Sequence, residues 1–316
     1  MIGVFVTGVI VARLIAAALG VSTGGVRDLP AGATPDYLAL AWSSAAQLLL
    51  RYGAILGIAI AINRRPLRDY GITTAGLSAR RIAVIGAVLF SIGGLLPRLI
   101  LFAKDHVPLG REPAHWSRLA DAHSIEFWIY MAVSSFVLVP IVEELFFRGY
   151  VQMRLQDAFG APAAIVMTAL LFTLSHRQYF IASGVGIGML MSLLAASLLA
   201  GYTRHRFGTL VPGVLAHAIG NLPIRGWIQV VLLGAMILIV ILTRSSLLDH
   251  ARSLRSLLAS RTILPAALIA VATVAAVLAI ALLARPALPF VGIAALLAAL
   301  LLRRGNAGPP STVRGA

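Results

Sequence analysis

Cysteine is absent from the 316 residues. That excludes disulfides, cysteine-ligated zinc, iron–sulfur clusters and a thiol nucleophile. Charge is also scarce: charged residues make up 12% of the chain against 59% hydrophobic ones. A soluble domain of this length needs more charge than that to cover its surface. Acid is scarcer than base, with 11 Asp and Glu against 26 Lys and Arg, and Lys104 is the only lysine. A formal net charge of +15 would point to nucleic acid in a soluble protein. Here the arginines cluster between apolar blocks. Nucleic acid is therefore not the expected partner, and anchoring beside anionic lipids at a cytoplasmic face is.

What the sequence has is apolar length. Mean hydropathy is +0.93. A spanning helix needs about 20 apolar residues. By that measure spans are expected near 2–21, 38–62, 82–102, 125–147, 161–178, 182–203, 208–222, 227–243, 263–284 and 287–302. The expected fold is all-α, a polytopic transmembrane bundle of about ten spans around a polar intramembrane cavity. The first block has no basic start and no small-residue cleavage site, so it reads as a retained helix.

The connecting segments sort by charge. Arginines fall in 63–81, 148–157, 204–206, 244–262 and at Arg303–Arg304. With ten spans these five segments share one side, which the positive-inside rule makes the cytoplasm. The expected location is multi-pass in a bacterial inner membrane with both termini cytoplasmic. Three parts are expected: N-terminal helices over 1–122, a polar-bearing core over 123–222, and C-terminal helices with a tail over 223–316.

Ionisable residues inside membrane spans cost roughly 2.5 kcal/mol or more at mid-helix, so each is a functional candidate. Three groups stand out: Glu143-Glu144-x-x-x-Arg148, Phe172-x-x-x-His176 and His217-x-x-x-Asn221. At 100° per residue, Glu143 and Glu144 point different ways. Arg148 lies four residues after Glu144, so those two share a face and pair. Glu143 is then left free, and an apolar site makes such a carboxylate a suitable general base or acid.

Phe159-Gly160-Ala161-Pro162 reads as a turn, with glycine for the bend and proline to open the next helix. Glu143 lies about 16 residues before it and His176 about 16 after it. An antiparallel hairpin would set both at one level. His217 and Asn221, at i and i+4, share one helix face.

A carboxylate, two histidines and an amide in low dielectric suit two mechanisms. In one, Glu143 and His176 activate a water while His217 and Asn221 stabilise an oxyanion. In the other, Glu143, His176 and His217 hold a divalent metal such as zinc, which activates its bound water. The residues alone leave both open.

In this order and setting the three groups resemble the CAAX-protease and bacteriocin-processing intramembrane proteases, which include the CAAX prenyl endopeptidase. The resemblance covers about 123–222. It implies an endopeptidase acting on a lipidated peptide or a membrane protein segment near the bilayer. It implies that Glu143 and His176 transfer protons, that His217 and Asn221 stabilise the oxyanion, and that Glu144, Arg148 and Phe172 support them. It favours the metal-free route.

Blander readings exist for each residue. Glu143 and Glu144 alone would read as a charged helix end, and His217 with Asn221 as interhelical glue. His106, His115 and His123 read as a solvated loop. Gly184-Val185-Gly186-Ile187-Gly188 reads as close helix packing rather than a nucleotide loop, because it lies in a span. Rhomboid-like, presenilin-like and site-2-like motifs are absent: Ala182-Ser183-Gly184 lacks the glycine a serine site would need in front,. Two other functions compete with a peptidase. One is a non-catalytic immunity or accessory protein. The other is a proton-coupled transporter, for which inverted repeats are expected and not seen.

Overall fold

The computed structural model describes residues 36–53, 56–57, 65–104, 106–110, 124–222, 224, 226–265, 267–268 and 272. Among them every regular element is helical. Helix α1 is Tyr37–Leu48 and runs on into a wider π-helical turn, Leu49–Gly53. Helix α2 is Ala79–Ala103. The run Ile125–Ser175 is broken at Gly160, where φ is 80° and ψ is 166°. Its arms are α3 (125–159) and α4 (161–175). Helix α5 is Gly184–Phe207, α6 is Val211–Gly220, α7 is Gly226–Leu242 and α8 is Arg244–Leu258.

Local chemistry sets several of the ends. Ser78, Ser124 and Ser183 each accept a backbone N–H three residues on, at 3.3, 3.2 and 3.1 Å. Each hydroxyl satisfies one of the N–H groups that a helix start leaves without a partner. Gly208 ends α5 in the left-handed conformation, φ 73°, which glycine adopts without a Cβ penalty.

Among the described residues three helical runs, α2, the broken run Ile125–Ser175 and α5, are long and apolar enough to cross a membrane, or four if the bent pair α7 and α8 counts as one span; the bend is 76°. The expectation of ten spans is therefore met only in part. Segments 2–21 and 287–302, most of 263–284 and part of 38–62 lie outside the described residues. The expected span 208–222 is corrected: α6 has ten residues. At 1.5 Å per residue it is about 15 Å long, half of a bilayer core. Helix α6 is held inside the bundle instead, packed against α2, α3 and α5.

The arms of the hairpin fold back on each other. The rings of Phe147 and Phe172 meet edge to face at 5.1 Å. These residues lie at nearly equal separation from Gly160, as an antiparallel pair requires. A buried cluster including Val142, Phe146, Tyr150, Ala163 and Met167 fills the seam. Ala163 and Ala164 are fully buried, and small side chains of this kind let membrane helices approach closely. The glycine run opening α5 packs the same way. A Cβ on Gly188 would stand 2.5 Å from Cδ1 of Ile100.

Candidate active site

Helices α2 to α7 enclose a cavity of about 570 Å³. Glu143, Glu144, Arg148, Phe172, His176, His217 and Asn221 all line it, together with Arg98 and a largely apolar wall that includes Leu89, Phe90 and Met131.

The first group comes from α3. One turn apart, Glu144 and Arg148 form an ion pair at 3.0 Å, with both side chains almost wholly buried. The expected i,i+4 pairing is found, and no ion pair joins Arg148 to Glu143 among the described residues. The guanidinium also donates to Ser197 Oγ of α5 at 2.7 Å. It lies 4.2 Å over the Phe172 ring as a cation–π contact,. Arg148 is thus held on three sides, and Phe172 is part of its seat.

Glu144 has a second partner. Its Oε1 lies 3.2 Å from Nδ1 of His217. A carboxylate accepts, so Nδ1 is the donating nitrogen, and in the neutral ring Nε2 then carries the lone pair. Nε2 faces Glu143, 3.9 Å from its Oε2. That separation is an ionic contact but too long for a hydrogen bond. Oε2 of Glu143 is buried without a hydrogen-bond partner among the described residues. The two neighbouring carboxylates therefore differ in kind: Glu144 is committed to a cation and an imidazole, and Glu143 is not.

His176 ends α4, where φ −89° and ψ 55° leave the helix. Its Nδ1 donates to the Phe172 carbonyl at 2.8 Å. That bond fixes the tautomer as above and leaves Nε2 as the basic nitrogen. The Phe172 ring packs against both histidines, 4.6 Å from His176 and 6.1 Å from His217 between ring centres.

Asn221 caps α6 and its amide donates to the Ser135 carbonyl at 2.8 Å. The reason that carbonyl is free lies in α3. Around Met131–Leu138 the helix is π-wound, and Val139 N–H bonds to Ser134 five residues back. In the same register Ser135 would pair with Pro140, which has no N–H. Asn221 supplies the missing donor. Its amide carries a second N–H that this bond does not use.

Among the described residues no three His, Asp or Glu side chains are grouped so as to hold a metal ion. The set Glu143, His176 and His217 does not fit that role.

Ser197, Ser135, Arg98 and Gln229 were not singled out in the sequence. For the two serines no sequence signal exists, because small hydroxyls are common in membrane helices. Arg98 did carry a signal: it is an arginine inside the apolar run 82–102.

Residues 125–223 match the family model described as type II CAAX prenyl endopeptidase Rce1-like. No curated protein and no solved structure matches the chain. The match spans under a third of the 316 residues; that segment is similar to the Rce1-like members of the CAAX-protease and bacteriocin-processing family. That is a family of membrane proteases whose substrates are membrane-associated prenylated peptides.

Proposed function

We propose that the chain is an intramembrane endopeptidase that cleaves lipidated peptides or membrane protein segments near the bilayer. Glu143 and His176 activate water, and His217 and Asn221 stabilise the oxyanion. The observation that carries this reading is the asymmetry of the two glutamates. Glu144 is consumed by Arg148 and His217, while Glu143 stands beside His217 with no hydrogen bond to Oε2 among the described residues. Such a carboxylate in an apolar cavity has what a general base needs.

The reaction balances without a metal. Water adds its oxygen to the scissile carbonyl carbon and gives its proton to Glu143, with Nε2 of His176 as the second basic group. The carbonyl oxygen becomes an oxyanion. It accepts from the spare amide N–H of Asn221 and, when His217 is doubly protonated, from Nε2–H of that ring. Glu143 then returns the proton to the departing nitrogen as the C–N bond breaks. Glu144 orients His217, as a carboxylate does for the imidazole of a serine-protease triad, and Arg148 holds Glu144.

The reading includes three parts, 1–122, 123–222 and 223–316, with the chemistry in the second. It sets the chain in a bacterial inner membrane with both termini cytoplasmic and anionic lipids around its arginines.

Incubating purified protein in liposomes with prenylated and transmembrane peptides, with and without chelator, tests it. The reading expects mass-resolved cleavage products in wild type, insensitive to chelator, and none in Glu143→Gln or His176→Ala. Turnover that persists in both variants contradicts the assignment, and turnover lost with chelator contradicts the metal-free route.

A further inference from the structure

Helix α6 carries His217 and Asn221 and stops inside the bundle after ten residues. The last carbonyls of a helix have no partner within it, and in an apolar surrounding each needs a donor. Water serves that purpose at a surface. Here the backbone N–H groups of Leu222 and Ile224 reach the carbonyls of Ile219 and Leu222, and an arginine adds to both and serves that of Gly220. Nη2 of Arg98, in α2, donates to the carbonyl of Gly220 at 3.1 Å and of Leu222 at 2.8 Å, with Ile219 at 3.5 Å. All three acceptors lie within five residues of His217 and flank Asn221.

Arg98 is only 3% exposed, and among the described residues no carboxylate pairs with it. A buried cation without a counter-ion is costly in a membrane and marks function. Its charge sits against the negative end of the α6 dipole, where a cation is stabilising. The arginine is itself tied from outside: Gln229 of α7, also buried, donates its amide to the Arg98 carbonyl at 2.9 Å. Both α2 and α7 lie outside the residues that match the family model.

The geometry points to Arg98 as a positioning residue for the proposed hydrolysis, with Gln229 as its brace. It fixes the end of α6, and through it the side chains of His217 and Asn221. The helices on either side of the matched region thus complete the site. This inference rests on the peptidase reading for its effect on rate, but not for its effect on α6. A displacement of about 1 Å at a catalytic group costs on the order of 100-fold in rate, so loosening this end has a measurable consequence.

Two readouts test it. The first needs no activity: hydrogen–deuterium exchange in wild type, Arg98→Met and Arg98→Lys. Arg98→Met is expected to speed exchange over 217–222 by about 10-fold, which is the loosening of one equilibrium by a factor of ten. Arg98→Lys should restore most of the protection, and exchange over 140–150 should not change. If Arg98→Met does not accumulate, Gln229→Leu carries the same test with the charge in place.

The second readout is turnover. Arg98→Met should lower kcat by up to about 100-fold with KM little changed. Combined with Asn221→Ala, the loss should fall well short of additive, since both act on one group. Unchanged exchange over 217–222, or fully additive losses, overturns the inference. A wild type that cleaves nothing, or that ignores Glu143→Gln, fails the peptidase reading alone, and the exchange result then decides Arg98.

Discussion

Oε1 of Glu144 lies 3.2 Å from Nδ1 of His217 while also accepting from Arg148 at 3.0 Å. One buried carboxylate thereby ties α3 to α6 and serves a cation and an imidazole at once. Removing one partner of a buried ion pair leaves the other uncompensated, at about 3–5 kcal/mol. Glu144→Gln is therefore expected to lower the melting temperature in detergent sharply. Glu143→Gln, which breaks no hydrogen bond at Oε2, should melt close to wild type. Equal destabilisation of the two variants would contradict the division of roles.

Arg148 binds Glu144, Ser197 and the Phe172 ring together. A lysine has the charge but neither the planar fork nor the stacking face. Arg148→Lys is expected to destabilise nearly as much as Arg148→Ala. Ser197→Ala should cost about 1.5–3 kcal/mol, the range for a hydrogen bond to a charged group. Thermal unfolding of the three variants checks this, and a silent Arg148→Lys would contradict it.

The amide of Asn221 closes a gap that Pro140 opens at the Ser135 carbonyl. Its remaining N–H is the oxyanion donor of the proposed mechanism. Loss of one such donor costs about 100- to 1000-fold in kcat. Asn221→Ala is expected to show that loss with KM nearly unchanged. Steady-state kinetics on a cleaved peptide measure it, and a rise in KM alone would mean a binding role.

Gly160 has φ 80° and ψ 166°, a region essentially confined to glycine,. No side chain crowds the position, since a Cβ there would find only Pro162 Cδ at 3.9 Å. The cost of Gly160→Ala is therefore backbone strain, about 1–3 kcal/mol. A lower melting temperature with kcat retained in the folded fraction is the expected result. Unaltered stability would mean the turn relaxes freely.

Much of this site was legible because it rests on local periodicity. The spacing of four fixed Glu144 on Arg148, and the glycine before Pro162 marked the turn that brings Arg148 over Phe172. The same spacing put His217 and Asn221 on one helix. What the sequence hid was long-range. Nothing near Ser197 announces that its hydroxyl will meet Arg148, and nothing near Ser135 announces its carbonyl's partner 86 residues on. The role of Glu144 is half legible: spacing gives its cation but not its histidine, because no periodicity links α3 to α6. Hydropathy also over-read 208–222 as a span. Apolar composition sets whether a helix is buried, not whether it crosses, and α6 is buried by its neighbours. Arg98 was legible by the rule that charged residues within spans are functional, but it is isolated from every motif and its partners are backbone atoms.

The central claim is that Glu143, rather than Glu144, is the base. Its most direct test is single-turnover cleavage by Glu143→Gln and wild type at equal folded concentration in liposomes. General-base catalysis contributes about 10²–10⁴-fold. A loss of that size in a variant that folds and binds peptide as wild type does is the predicted result. Glu143→Gln turning over at the wild-type rate would contradict the account.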